Sequence, residues 1–381
     1  MKKKMFFIVG TRMPTEKANG YQVAMMCTQY ASLGYDVTLV VPRRKNPIKE
    51  SVFDFYGLKE TFLIKKIGLI DFIVFSKFIG SLAYWFHVVY FLFMLSFIKM
   101  EKGSVVYTRN PEVVWLGNKK GCTTVYECHD WFGKRKKLSL WFLKQANLIV
   151  TTNNIIRERF LEHGFDESKI IKAANAIDIS TFDILTEKKE ARKKLSLPEE
   201  GSVVVYTGHL YERKGVHVLA EAAKKLPPHT TVYFVGGTDK DVALFAEKYK
   251  NISSIKVVGH RPHAQMPLWQ KAADVLVLPN IAGHATSKYY TSPLKLFEYM
   301  ASKRPIIASN LPAVLEIVNS ETALIVDPEN SQELKETIVK VLEGGDETAF
   351  RAERAYSLVK KRTWENRAQM IHMKIKELDK K

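Results

Sequence analysis

The chain has 381 residues, too many for one ordinary hydrophobic core and a natural length for two domains. Its 46% apolar and 26% charged residues are those of a folded, soluble protein, while a formal charge of +18 implies attraction to something acidic: nucleic acid, anionic lipid or phosphorylated ligands. The three cysteines, Cys27, Cys122 and Cys128, form no CxxC pair, so neither a disulfide framework nor a zinc site is indicated and a reducing compartment fits.

The opening MKKKMFFIVG is too short for a signal sequence and reads as a first buried strand. A loop, TRMPTEKANG, leads to a helix expected from about Gly20 to Leu33, stopped by Gly34, and then to the apolar strand DVTLVVP. Asn19–Gly20 stands at that helix start, where backbone can approach a ligand; a plain turn glycine explains the spacing equally well. Phe78 to Ile98 is long enough to cross a bilayer and carries only His87 among titratable groups. Its aromatics are scattered rather than belted, and a crossing would separate the two halves of the first domain. A helix buried in, or lying on, the membrane face of a soluble domain is therefore expected. SVVYTR, a short helix from Pro111 and TTVYE follow, and Cys128–His129–Asp130–Trp131 comes directly after. A histidine and a carboxylate just past a parallel strand stand where open α/β sheets bind ligands. The run GKRKKL (133–138) is a solvated loop or a hold for an acidic acceptor or lipid headgroup. NLIVTTN and SKIIKAANAID complete the first domain.

The charged segment EKKEARKKLSLPEEG (187–201) marks a composition shift, and the domain junction is placed before it. VVVYTGHLYERKG, TVYFVGG, IKVVGHRP and DVLVLPN then alternate with helices, the first of these running to Leu226. TSPLKLFEYMASKRPIIAS (291–309) closes a βαβ unit, with Ser292 as expected helix cap and Pro293 at the first position. Lys295 then falls in the first helical turn, where the dipole disfavours a cation by about 0.3–1 kcal/mol, and Arg213–Lys214–Gly215 repeats the pattern at another helix start. An anion over both helix ends turns the two misplacements into a binding site. The last helix, Ala349 to Leu378, is long enough to cross back over the first domain or simply to cap the second. The fold expected is α/β, two Rossmann-like doubly wound domains facing across a cleft: residues 1–182, residues 183–350, and a returning C-terminal helix over 351–381. No GxGxxG fingerprint and no P-loop occurs, which removes the usual support for nicotinamide chemistry or a Walker-type ATPase.

In this order and at these distances, MPTEKANGYQV, VYECHD, NAID, YTGHLYERKG, KVVGHRP, SPLKLFEYMASKRPIIAS and TWENRA resemble the family-4 retaining glycosyltransferases of the GT-B fold. The resemblance implies sugar transfer from a UDP- or GDP-sugar to a glycan or lipid-linked acceptor in envelope polysaccharide or glycoconjugate synthesis. Lys214, with Arg213 beside it, would bind the donor diphosphate, and Glu298 the ribose hydroxyls. Thr291, Ser292, Pro293 and Leu294 would hold phosphate at the helix start. Gly259, His260 and Arg261 would cradle the base, His129 would touch the donor sugar near its reacting carbon, and Gly20 would lie close to the phosphates. Two positions depart from the family: Tyr290 stands where a glutamate is usual, and His209 where an arginine is usual. A non-catalytic GT-B subunit that binds a partner glycosyltransferase or acceptor is the alternative. No metal or other cofactor and no nucleic-acid partner is expected. The location expected is cytoplasmic, with peripheral contact to an anionic membrane; the oligomeric state is left open.

Overall fold

The structure, a computed structural model, describes residues 2–68, 80, 82–133 and 136–379. Its apolar runs become two wholly parallel sheets. The first holds β1 (Lys4–Ile8), β2 (Asp36–Arg43), β3 (Leu63–Gly68), β4 (Val105–Thr108), β5 (Thr123–Cys128), β6 (Leu148–Thr151) and β7 (Ile170–Lys172), in the order β3-β2-β1-β4-β5-β6-β7. The second holds β8 (Ser202–Thr207), β9 (Thr230–Val235), β10 (Ile255–Gly259), β11 (Val275–Leu278), β12 (Ile306–Ser309) and β13 (Leu324–Val326), in the order β10-β9-β8-β11-β12-β13. Strand order reverses between β1 and β4 in one sheet and between β8 and β11 in the other, and crevices open at the carboxyl ends of such switch points. Central strands are buried on both faces, as the continuous apolar lettering of LIVT and VLVL requires.

The chain divides into two compact units, Met1–Ala174 with Trp364–Lys381, and Asn175–Thr363. The junction expected at residue 182 thus lies inside the second unit. The single terminal helix of the sequence reading is two helices, Asp346–Val359 in the second unit and Trp364–Asp379 in the first. Between them the backbone leaves the helix: Arg362 accepts at its carbonyl from the Ile177 amide at 3.0 Å, and Thr363 bridges Ile177.

The aromatic segment is also resolved into two behaviours. Residues 78, 79 and 81 lie outside the described residues, and no described helix is long and apolar enough to cross a membrane. The helix Leu82–Ser96 buries Ala83, His87, Val88, Phe91 and Leu95, the last two within the core formed with Phe6, Ile8 and Val106. Its other side leaves Leu82, Trp85, Phe86, Val89 and Phe93 exposed. That i, i+3, i+4, i+7 spacing makes one continuous apolar stripe. Within the run 133–138, Lys134 and Arg135 lie outside the described residues, and helix Lys136–Leu143 starts directly after them with Trp141 exposed.

Candidate active site

In the second unit, three glycines line the carboxyl edge of the sheet. Gly208 follows β8, Gly236 follows β9 and Gly259 ends β10, all with positive φ. The Gly208 amide donates to the Val235 carbonyl at 2.7 Å and the Gly236 amide to the Gly259 carbonyl at 2.8 Å. A Cβ on Gly236 would sit 2.7 Å from the Gly208 oxygen, so this edge is bare backbone by steric necessity. The sequence-predicted Gly259–His260–Arg261 turn is thereby tied to the loop after β9; His260 and Arg261 are exposed.

Lys214 does not begin a helix. It ends a 3-10 turn, Glu212–Lys214, and Gly215 (φ 68°) caps the helix Val216–Ala223. A Cβ at Gly215 would lie 1.6 Å from the Pro279 carbonyl oxygen, so only glycine lets this turn close against the end of β11, at the switch point. That helix is also shorter than the run to Leu226 that the sequence suggests. Burial, reinforced by the like charge of Arg213, lowers the Lys214 ammonium to about 8. Arg213 lies 5.4 Å over the Tyr211 ring, which in turn stacks on His209 at 4.8 Å.

The helix Leu294–Ala301 is capped by Pro293 without a side-chain bond, which corrects the capping role expected of Ser292. The Ser292 hydroxyl instead accepts from the Asn175 amide at 3.1 Å, and the Ser292 carbonyl accepts from Asn175 Nδ2 at 2.5 Å. Thr291 and Leu294 flank this start, and Tyr290 is buried at the end of the preceding π-turn, Thr286–Tyr290. Tyr299 fastens the helix to β8, its hydroxyl accepting from the Thr207 amide at 2.8 Å. Glu298 is buried and faces His263 Nε2 at 3.2 Å and Gln270 Nε2 at 3.4 Å. Lys295 turns its ammonium inward, 3.8 Å over the centroid of Tyr206 on β8. Burial, and then the charge of Lys214, holds its pKa well below the ordinary lysine value.

In the first unit, Gly20 is the third residue of the helix Ala18–Ser32. The space a Cβ would take there is filled by the Tyr56 hydroxyl at 2.1 Å, which donates to the Thr15 carbonyl at 2.7 Å. Packing of Tyr56 therefore accounts for this glycine. His129 follows β5 as expected, but its partner was not foreseen: the buried Glu127 two residues earlier, whose Oε1 bonds His129 Nε2. Glu127 also takes a bond from Tyr107, one from Gln22 Nε2 at 2.9 Å, one from Arg367 Nη2 at 3.1 Å and one from Arg109 Nη2 at 3.3 Å. Burial alone would raise its pKa; Arg367 first, then Arg109 and His129, override this and hold the carboxyl well below its ordinary range. An ionised Glu127 accepts only, so His129 carries its proton on Nε2 and presents Nδ1 as the basic nitrogen. Burial, followed by the charge of Arg109, lowers His129 to about 4, leaving a neutral ring at neutral pH. Beside this cluster, a cavity of about 290 Å³ opens at the ends of β1 and β4, lined by Gly10, Asn19, Arg44, His87, Arg109 and Asn110 among others.

Known proteins give the same picture. The model described as "Glycosyltransferase Family 4" matches residues 20–181, and that described as "Glycosyl transferases group 1" matches residues 187–357. TuaC of Bacillus subtilis (strain 168), named as a teichuronic acid biosynthesis glycosyltransferase, is 27% identical over 197 residues, covering 51% of this chain and 46% of the relative. The chain spans about half the length of the first curated relatives it matches. Among solved structures, Anabaena Alr3699/HepE in complex with UDP-glucose superposes with a TM-score of 0.75 at 18% identity, over 98% of this chain and 100% of that one. A glycosyltransferase from Rickettsia africae ESF-5 gives 0.77 at 17% identity, over 100% and 99%. Two parallel-sheet Rossmann-like units, both family models in succession and these neighbours have one reading: the chain belongs to the family-4, group 1 glycosyltransferases of the GT-B fold.

Proposed function

We propose that the protein moves a sugar from a UDP- or GDP-sugar to a glycan or lipid-linked acceptor, with retention, in the synthesis of a cell-envelope polysaccharide or glycoconjugate. The observation that carries the reading is the bare glycine edge of the second sheet beside Lys214: backbone and a cation at a topological switch point suit a diphosphate. Breaking the glycosidic C–O bond leaves negative charge on that diphosphate. Lys214, Arg213, the helix start at Thr291–Leu294 and the His209 loop supply preorganised positive potential for it, without a resident metal in this scheme. Glu298 would accept from the ribose hydroxyls in place of its present bond to His263. The turn Gly259–Arg261 would receive the base, and Gly20's helix start the phosphates. On the acceptor side, neutral His129 would lie against the donor sugar, and the Arg44–Arg109 cavity would take part of the acceptor. The departing phosphate then takes the acceptor's proton as attack proceeds from the same face. Curated relatives named for teichuronic and colanic acid biosynthesis support the envelope assignment. A panel of UDP- and GDP-sugars, assayed for released nucleoside diphosphate with envelope glycan extracts, should give turnover with one donor. Failure to bind either UDP or GDP by calorimetry would leave the non-catalytic subunit as the surviving reading.

The same reading places the protein on the inner face of a membrane. The exposed stripe Leu82–Phe93, exposed Phe97 and exposed Lys65 and Lys66 on the edge strand β3 combine apolar and cationic surface in a chain of charge +18. Co-sedimentation with vesicles containing anionic lipid is expected at low salt. The double substitution Phe86→Ser, Phe93→Ser should cut it severalfold while leaving UDP or GDP binding unchanged; equal sedimentation of both proteins would remove the membrane assignment.

A further inference from the structure

Lys295 has no role in the scheme above, yet its surroundings are costly for a lysine. Its Nζ is shielded from solvent and makes no hydrogen bond. An unpaired buried ammonium is rare in folded proteins, because the lost hydration is not returned by any partner. The charged and titratable groups that bear on it come from each element around it. Lys214 approaches from the 3-10 turn and repels it; Glu298, one turn along its own helix, attracts it but spends its oxygens on His263 and Gln270. Tyr206 of β8 offers only its ring face, since its hydroxyl donates to the His209 carbonyl at 2.7 Å. The contact that decides the matter is steric: a Cβ on Gly208 would lie 2.6 Å from Lys295 Nζ. The ammonium thus stands directly against the first glycine of the bare edge.

We propose that Lys295 is a second diphosphate-directed cation, held under the Gly208 loop by Tyr206 so that an entering phosphoryl oxygen becomes its missing partner. The inference rests on the diphosphate reading of this edge and adds a residue to it. Lys214 repels Lys295 and is itself repelled by Arg213, and a bound dianion offsets both repulsions. The position also resolves the misplaced cation in the helix's first turn: its stem starts at the wrong end of the dipole, but its head crosses to the end of β8. Lys214 titrates at about 8 in the free protein and Lys295 is also held below the ordinary lysine value, so an arriving anion, which favours the charged form of both, draws protons from solution at pH 8.

Calorimetry with UDP, GDP, uridine and guanosine on the full chain tests this. The substitution Lys295→Met, which keeps the apolar stem against Tyr206, should weaken whichever diphosphate binds by about 10- to 100-fold and leave its nucleoside unchanged. Lys295→Arg should recover part of the loss. On the wild-type protein, which needs no variant to fold, the binding heat at pH 8 should differ between buffers of low and high ionisation enthalpy, in the sense of proton uptake. If the wild type binds the diphosphate but Lys295→Met binds it equally well, or loses diphosphate and nucleoside in equal measure, Lys295 is structural and the inference is wrong. If the wild type binds neither UDP nor GDP, the diphosphate reading itself fails.

Discussion

Replacing Lys214 with alanine is expected to reduce sugar transfer by at least about 10²–10³-fold, the scale on which a preorganised donor to a developing anion contributes. The turn that carries Lys214 is built from backbone, the Lys214 amide donating to the Tyr211 carbonyl at 2.8 Å and Gly215 closing against Pro279, so the variant should keep its fold. Its melting temperature therefore serves as the control: an inactive protein that melts as the wild type does implicates the charge. The pH dependence has a definite sign. Lys214 in the free protein titrates at about 8, so raising pH through that value removes a positive charge and weakens diphosphate binding. Bound anion raises the lysine's pKa again, which shifts the fall in kcat to higher pH than the fall in kcat/KM. Full activity in Lys214→Ala would separate this turn from the chemistry.

Glu127→Ala is expected to be the most destabilising single change in the first unit, by about 3–5 kcal/mol, because it strands a buried guanidinium. Arg367 would keep its bonds to the Ala173 and Ala174 carbonyls at 3.2 and 2.9 Å but lose its counter-charge. Glu127→Gln separates charge from shape. A carboxylate whose folded pKa is depressed contributes stability that is fully present above the unfolded value, about 4.3, and is lost as pH falls through the folded one. The wild-type first unit should accordingly lose part of its stability as pH drops below about 4, and Glu127→Gln should lack that acid-dependent portion. Denaturant melts at pH 7 and at about pH 3 measure both effects; wild-type stability at both pH values for either variant would show that the cluster contributes nothing. Because Glu127 fixes the His129 tautomer, Glu127→Gln should also lower turnover through positioning, with the His129 ring titrating differently by NMR.

Strands and their order of appearance were legible because a parallel sheet buried on both faces demands unbroken apolar runs, and DVTLVVP and DVLVLP leave no other choice. Glycines at the ends of strands were legible as close backbone, whereas the room that Gly20 makes for Tyr56 inside its helix was not. Tertiary partners were not legible. Glu127 looks like the polar end of a strand until Gln22, Arg109 and Arg367, separated from it by 105, 18 and 240 positions, are brought to one carboxylate. A charged residue inside an otherwise apolar strand that precedes a histidine was the available signal. Ser292 has the letter of a helix cap and the geometry of an acceptor for Asn175, a pairing across 117 positions that local propensity does not contain. Lys295 was visible as an anomaly of the helix dipole, and only the fold shows where its ammonium goes.

The first unit is sewn from both ends of the chain: Arg367 meets Glu127, and His372 Nδ1 lies 2.9 Å from the Tyr35 hydroxyl. During translation the ribosome delivers Glu127 some 240 residues before its strongest counter-ion. At 5–20 residues per second that is an interval of roughly 12–48 s in which the nascent unit must shield a half-neutralised carboxylate. The unit synthesised first is therefore the one that matures last, and the second unit can complete its fold while the first still waits for its closing helix.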